Sequence, residues 1–180
     1  PAARRRGNPL RPYVWGAAAV LLSIPAIAMQ FTDEVDWDAF DFIVMGALLT
    51  FACGVYEVGA RLSGHRAYRG GFAVAILSGF LMVWMNLAVG IVGNEDNPVN
   101  LLFFAILMVG AIAAPLGRFR PLGMARAMYA TAIAQALVTA YIALAGHGYT
   151  FVLAGFFIAA WLTAAHLFRV AHEDALQAAT

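Results

Sequence analysis

The side chains in this chain that could do chemistry include a set of acids in two polar turns, at 32–39 and 93–98. Carboxylate and amide oxygens are the ligands that Ca²⁺ and Mg²⁺ prefer, so a divalent cation bound at these turns is one prediction. The alternative is a set of solvated acids that help to orient the chain, because the Asp-x-Asp-x-Asp-Gly pattern of a calcium loop is absent. The candidate metal ligands are Asp33, Glu34, Asp36, Asp38, Glu95 and Asp96.

A second group of candidates lies inside long apolar stretches: Gln30, Asn86, Gln135 and Glu57. A buried amide in lipid must find a hydrogen-bond partner. We expect hydrogen bonds between helices for the three amides, and the alternative is a shared polar cavity near the outer leaflet. Glu57 precedes Arg61 by four residues, which places both on one helix face. An ion pair at the membrane boundary is therefore expected, with a proton-coupling role for Glu57 as the alternative.

Sequence motifs of known catalytic chemistry are missing. The chain contains no HExxH, no CxxC, no phosphate-binding loop and no pair of membrane aspartates. His166 is the single histidine within an apolar stretch, so a histidine pair for b-type haem is not expected. We therefore predict no catalytic residues, no enzymatic activity and no cofactor, apart from the divalent cation considered above.

The elements that must position these residues are apolar and long. The chain is 63% hydrophobic and 12% charged over 180 residues, with a mean hydropathy of +0.78, unlike a soluble domain. A helix needs about 20 apolar residues to cross the ~30 Å hydrocarbon core. Because lipid offers the backbone no hydrogen-bond partners, helices are expected. Six apolar segments predict an all-α integral membrane fold with six transmembrane helices, at 13–31, 40–60, 71–92, 99–116, 127–145 and 150–168.

The basic residues predict the orientation of these helices. All eleven are arginines, and they lie in the N-terminal arm, at 61–69, at 118–126 and at Arg169, never in the turns at 32–39, 93–98 or 146–149. By the positive-inside rule, both termini are expected in the cytoplasm and the acidic turns in the periplasm of a bacterial inner membrane. We predict one transmembrane domain over 1–180 built of three tandem hairpins, with a basic arm at 1–12 and a tail at 170–180. A cleaved signal peptide is the alternative for the first segment.

These features favour a polytopic membrane protein that acts as an accessory or interaction subunit of a membrane assembly. The alternatives are a small-solute or cation transporter or channel with an acidic outer mouth and, ranked last, a lipid-modifying enzyme. The expected partners are the lipid bilayer and either other membrane subunits or further copies of the chain, and not nucleic acid. A continuous polar cavity that joins Gln30, Asn86 and Gln135 would favour transport.

Overall fold

The computed structural model describes residues 10–148 and 150–179, and within them the chain is helical and contains no strand. The six helices in these residues are each long and apolar enough to cross a membrane, counting the short 3₁₀ turn Pro98–Asn100 with α4. This confirms the predicted all-α fold with six candidate spans. The helices are α1 Arg11–Ala28, α2 Ala39–Leu62, α3 Arg66–Ala88, α4 Leu101–Leu116, α5 Pro121–Leu144 and α6 Phe151–Gln177.

The helices differ from the apolar segments mainly at the ends that carry arginine. α5 begins at Pro121 instead of 127, because proline suits the first turn of a helix, where its missing N–H would have no partner. α6 continues to Gln177 instead of 168, and Arg169 Nη2 lies 3.2 Å from Glu173 Oε1 one turn along it. The predicted apolar segments end where charged residues begin, whereas the backbone hydrogen bonds of the helices continue past those residues. α6 is about 40 Å long at 1.5 Å per residue.

The chain divides into two compact units, Pro1–Leu62 and Ser63–Thr180, which are described separately. The prediction of one domain over 1–180 stays a prediction, as do the hairpin arrangement and the orientation. Residues 1–9 of the predicted basic arm, and Thr180 of the predicted tail, lie outside the described residues. In the first unit α1 runs antiparallel to α2, since Arg11 pairs with Glu57 and a Cβ on Gly46 would lie 3.8 Å from Leu22.

In the second unit α6 packs against both α3 and α5, and α4 packs against α5, while the α3–α4 contact is smaller. α3 and α6 are antiparallel: the Tyr68 and Phe168 rings lie 5.1 Å apart, and a Cβ added to Gly71 would lie 3.1 Å from the carbonyl oxygen of Ala164. The close backbone approach requires a residue without a side chain at Gly71. Gly71 on α3 therefore serves packing within the second unit.

The contact between α4 and α5 also depends on glycine. A Cβ on Gly110 would lie 2.9 Å from Thr131 Oγ1, and a Cβ on Gly117 would lie 2.8 Å from the Cα of Gly123. Between these helices Arg118 and Phe119 adopt φ of 52° and 54°, a region that disfavours residues with a Cβ. Gly110 and Gly117 of α4 thus lie in contacts within the second unit.

Candidate functional site

Gln135 is the most deeply buried of the predicted site residues. Its side chain lies in the middle of α5 and is 0% exposed. Neither Nε2 nor Oε1 of its amide has a hydrogen-bond partner among the described residues. Thr131 and Thr139, one turn away on either side, donate to backbone carbonyls of their own helix. An amide in this position is costly unless a hydrogen-bond partner satisfies it.

Asn86, near the outer end of α3 in the predicted orientation, is 4% exposed. Its Nδ2 donates to the carbonyl oxygen of Met82 at 2.8 Å, and within the described ranges its Oδ1 has no partner. Gln30, just beyond the end of α1, is exposed, and its Nε2 lies 3.5 Å from the carbonyl oxygen of Ala26. Within the described residues, the hydrogen bonds found for Gln30 and Asn86 are to carbonyl oxygens of their own segments, so hydrogen bonding between helices stays a prediction. Gln30 belongs to the first unit and the other two to the second, so a cavity shared by them stays a prediction.

Trp161 on α6 also buries a polar atom that lacks a partner. The residue is 2% exposed, and in the described part of the chain its indole Nε1 makes no hydrogen bond. A tryptophan buried this completely normally finds an acceptor for its N–H. The sequence marks Trp161 as a deep tryptophan, but gives no sign that it and Gln135 share this property.

Glu57 lies at the centre of a charged cluster in the first unit. Its side chain is 11% exposed, and its carboxylate lies 3.2 Å from Arg61 Nη2, which confirms the expected ion pair. Two further partners come from α1: Arg11 Nε lies 2.8 Å from Oε1, and Trp15 Nε1 donates to the same oxygen at 3.3 Å. The cluster therefore fastens the first turns of α1 to the last turns of α2. The proton-coupling role stays a prediction.

The acids of the first turn separate into two kinds. Asp38 and Asp41 cap α2: Asp38 Oδ1 accepts from the backbone N–H of Phe40 at 2.7 Å and of Asp41 at 3.0 Å, and Asp41 Oδ2 accepts from the N–H of Asp38 at 3.0 Å. This reciprocal arrangement satisfies N–H groups that the first helical turn leaves free. The remaining acids of this turn are exposed: Asp33, Glu34 and Asp36.

The second acidic turn is built around the buried side chain of Asn100. Its Oδ1 accepts from the N–H of Ile91 at 3.1 Å and of Val92 at 2.8 Å. Its Nδ2 donates to the carbonyls of Val92 at 3.2 Å and Asn94 at 2.7 Å. Asn100 therefore organises the loop from inside, and Glu95 and Asp96 are left exposed.

The predicted metal ligands do not converge on one point. Over residues 10–148 and 150–179, no group of three or more His, Cys, Asp or Glu side chains could hold a metal ion together. This geometry does not test whether the protein uses a cofactor, and the divalent cation stays a prediction. A pocket of about 340 Å³ at the start of α6 is lined by Ile91 and 150–153, and none of the predicted site residues lines it.

The remaining feature is an exposed row of small and polar residues along α1 and just beyond its end, here called the α1 seam: Gly16, Ala19, Ser23, Ala26 and Gln30. Their spacing alternates between three and four residues, so they occupy about a quarter of the circumference of a helix with 3.6 residues per turn. No residue of α1 is buried, and no described atom lies within 4 Å of a Cβ added to Gly16. The α1 seam was not among the features predicted from the sequence, although its alternating spacing of three and four residues is visible there.

Of the predicted site residues, Glu57 lies in a charged cluster with Arg11 and Arg61 in the first unit. Comparisons of the chain with protein-family models, with curated proteins and with solved structures find no match.

Proposed function

We propose that this protein is a non-catalytic subunit of a membrane assembly and that the α1 seam binds a transmembrane helix of a partner protein. The observation that carries the proposal is the exposure of the seam along the whole of α1. Helices associate in membranes through small residues that allow close backbone approach and through polar side chains that bond across the interface. The α1 seam offers both kinds of residue at the spacing of a helix–helix contact.

The surface of α1 next to the seam carries large apolar residues instead of small and polar ones, and this difference supports the assignment. Val20, Ile24 and Ile27 are 64%, 53% and 58% exposed, and large apolar side chains of this kind suit contact with lipid. The seam instead carries small and polar side chains; Ser23 Oγ donates to the carbonyl oxygen of Ala19 on its own helix at 2.8 Å, and its oxygen can still accept a hydrogen bond. The comparable glycines on α3 and α4 are covered by other helices of the chain. On α1, by contrast, no described atom lies within 4 Å of a Cβ added to Gly16.

Cross-linking in native membranes tests the proposal. Cys53 is the single cysteine, so a Cys53→Ala background allows one reactive thiol to be placed in the seam as Ser23→Cys or on the lipid-like surface as Ile24→Cys. We expect Ser23→Cys to cross-link to one membrane polypeptide, identified by mass spectrometry, and Ile24→Cys not to do so. Adding Ala19→Leu should abolish the product, because the larger side chain prevents close approach. A cross-link to α3–α6 of the same chain would refute the proposal that the seam binds a partner protein, and so would the absence of any cross-linked product.

We further propose that the protein lies in a bacterial inner membrane with its arginine-rich ends in the cytoplasm. The distribution of the eleven arginines supports this orientation. In the same cysteine-free background, Asp36→Cys should react with a membrane-impermeant maleimide added to spheroplasts. Gly64→Cys, in the arginine-containing connection, should react only after permeabilisation. The reverse pattern would overturn the orientation.

A second candidate function is transport of a small polar solute, which the buried amides of the second unit favour. Gln135 and Asn86 each keep amide atoms that no described residue binds, and uncompensated polar groups inside a membrane often mark a substrate pathway. Flux through liposomes that falls on Gln135→Leu would support transport and would contradict a purely structural subunit.

A further inference from the structure

We propose that the second unit contains an internal hydration site, in which one or more water molecules bind Gln135 and Trp161 midway along the helices. The two residues are 0% and 2% exposed. Three of their polar atoms, Gln135 Nε2, Gln135 Oε1 and Trp161 Nε1, lack hydrogen-bond partners among the described residues. The proposal depends neither on partner binding by α1 nor on transport.

Both side chains lie at the same level of the bundle. α5 and α6 are in extensive contact and are joined by a short connection, so they run antiparallel. Gln135 lies nine residues before the end of α5 at Leu144, and Trp161 lies ten residues after the start of α6 at Phe151. At 1.5 Å per residue, each is about 14–15 Å from the connection. That distance is about half of the ~30 Å hydrocarbon thickness.

α3 brings a third polar group close to this level. Gly71 lies against Ala164 on α6, and extending that antiparallel register places Ser78 within about one turn of Trp161. Ser78 is 4% exposed, and its hydroxyl donates to the carbonyl oxygen of Val74 at 2.8 Å. Its oxygen can still accept a hydrogen bond. α6 and the two helices that pack against it, α3 and α5, thus each carry a buried polar side chain near one depth.

The chemistry of these groups matches water. The amide of Gln135 offers two donors and an acceptor, the indole of Trp161 offers one donor, and Ser78 offers an acceptor. Water both donates and accepts, and buried waters typically make about three hydrogen bonds to groups that would otherwise lack partners. The segments 131–139 and 157–165 contain no ionisable residue, so an uncharged occupant is favoured. Without it, each of these polar groups would be left unsatisfied in a region that offers no other partner.

The experiment uses full-length protein in which Trp161 is the single tryptophan, with Trp15, Trp37 and Trp84 replaced by phenylalanine. Ultraviolet resonance Raman spectroscopy reports whether the indole N–H donates a hydrogen bond. Radiolytic labelling in H₂¹⁸O reports whether water lies beside the ring. We expect a hydrogen-bonded indole together with ¹⁸O incorporation at Trp161, although the residue is almost fully buried.

Gln135→Leu should reduce ¹⁸O incorporation at Trp161 to background and move the indole band to its unbonded position. Ile106→Leu is the matched control, because Ile106 is a buried apolar residue of α4 that is 1% exposed, and it should leave both signals unchanged. An unbonded indole in the protein with native Gln135 would overturn the proposal. A bonded indole without ¹⁸O would also overturn it, since that result means direct contact with a protein acceptor. These two outcomes decide the matter even if Gln135→Leu fails to fold.

Discussion

Replacing Asn100 by alanine should release the loop between α3 and α4. The side chain makes four hydrogen bonds to the loop backbone: two accepted from N–H groups at 3.1 and 2.8 Å and two donated to carbonyls at 3.2 and 2.7 Å. At about 0.5–1.5 kcal/mol for each bond, the loss amounts to about 2–6 kcal/mol. All four bonds lie within one loop, in which Gly90 and Gly93 adopt φ of 69° and 71°. The free energy lost in Asn100→Ala should therefore appear as local opening of the loop between α3 and α4.

Hydrogen exchange at the amides of Ile91 and Val92 measures this opening directly. Since 1.4 kcal/mol corresponds to a factor of ten, a loss of about 4 kcal/mol should accelerate their exchange by about 10³-fold. Asn97→Ala is the matched control in the same loop, because Asn97 Oδ1 accepts one hydrogen bond, from Val99 N–H at 3.0 Å. That variant should lose about 1 kcal/mol. Equal exchange rates for the two variants, or no change at Ile91 and Val92, would refute the role given to Asn100.

Three further substitutions test the second unit by thermal unfolding. Gly123→Ala should lower Tm, because the Cβ of the new alanine would collide with the backbone of Gly117. The free energy of unfolding should fall by about 1–3 kcal/mol. An unchanged Tm would show that α4 and α5 pack less closely at this point. Tyr68→Phe should cost about 0.5–1.5 kcal/mol, since the hydroxyl donates to the carbonyl oxygen of Phe119 at 2.8 Å. Arg118→Gly should raise Tm. A φ of 52° costs a residue with a Cβ about 1–2 kcal/mol, which exceeds the ~0.5–1 kcal/mol of chain entropy that glycine loses on folding. A lower Tm would contradict this reasoning.

The sequence predicted the features that depend on neighbours along the chain. Six apolar runs predicted six helices because the length of a span follows from the thickness of hydrocarbon. The ion pair between Glu57 and Arg61 followed from a spacing of one helical turn. Both are local properties of a helix, so no knowledge of tertiary contacts was needed.

What the sequence could not predict depends on register between helices. Arg11 and Trp15 reach Glu57 from another helix, and no spacing within α2 or α1 encodes that meeting. Asp38 was a candidate metal ligand by residue type, yet the structure uses its carboxylate to cap α2. Oxygen-bearing side chains serve both purposes, and only the positions of the surrounding backbone N–H groups distinguish a cap from a ligand.

The packing of α3 against α6 has a consequence for how the protein is made. About 60 residues separate the end of α3 from the start of α6, which ribosomes translate in about 3–12 s at about 5–20 residues per second. During that time α3 lies in the membrane without its principal neighbour, and the surface around Gly71 remains uncovered. A nascent chain that stalls before α6 should therefore be recognised as incomplete by membrane proteases, whereas one that stalls after Leu62 already contains both helices of the first unit.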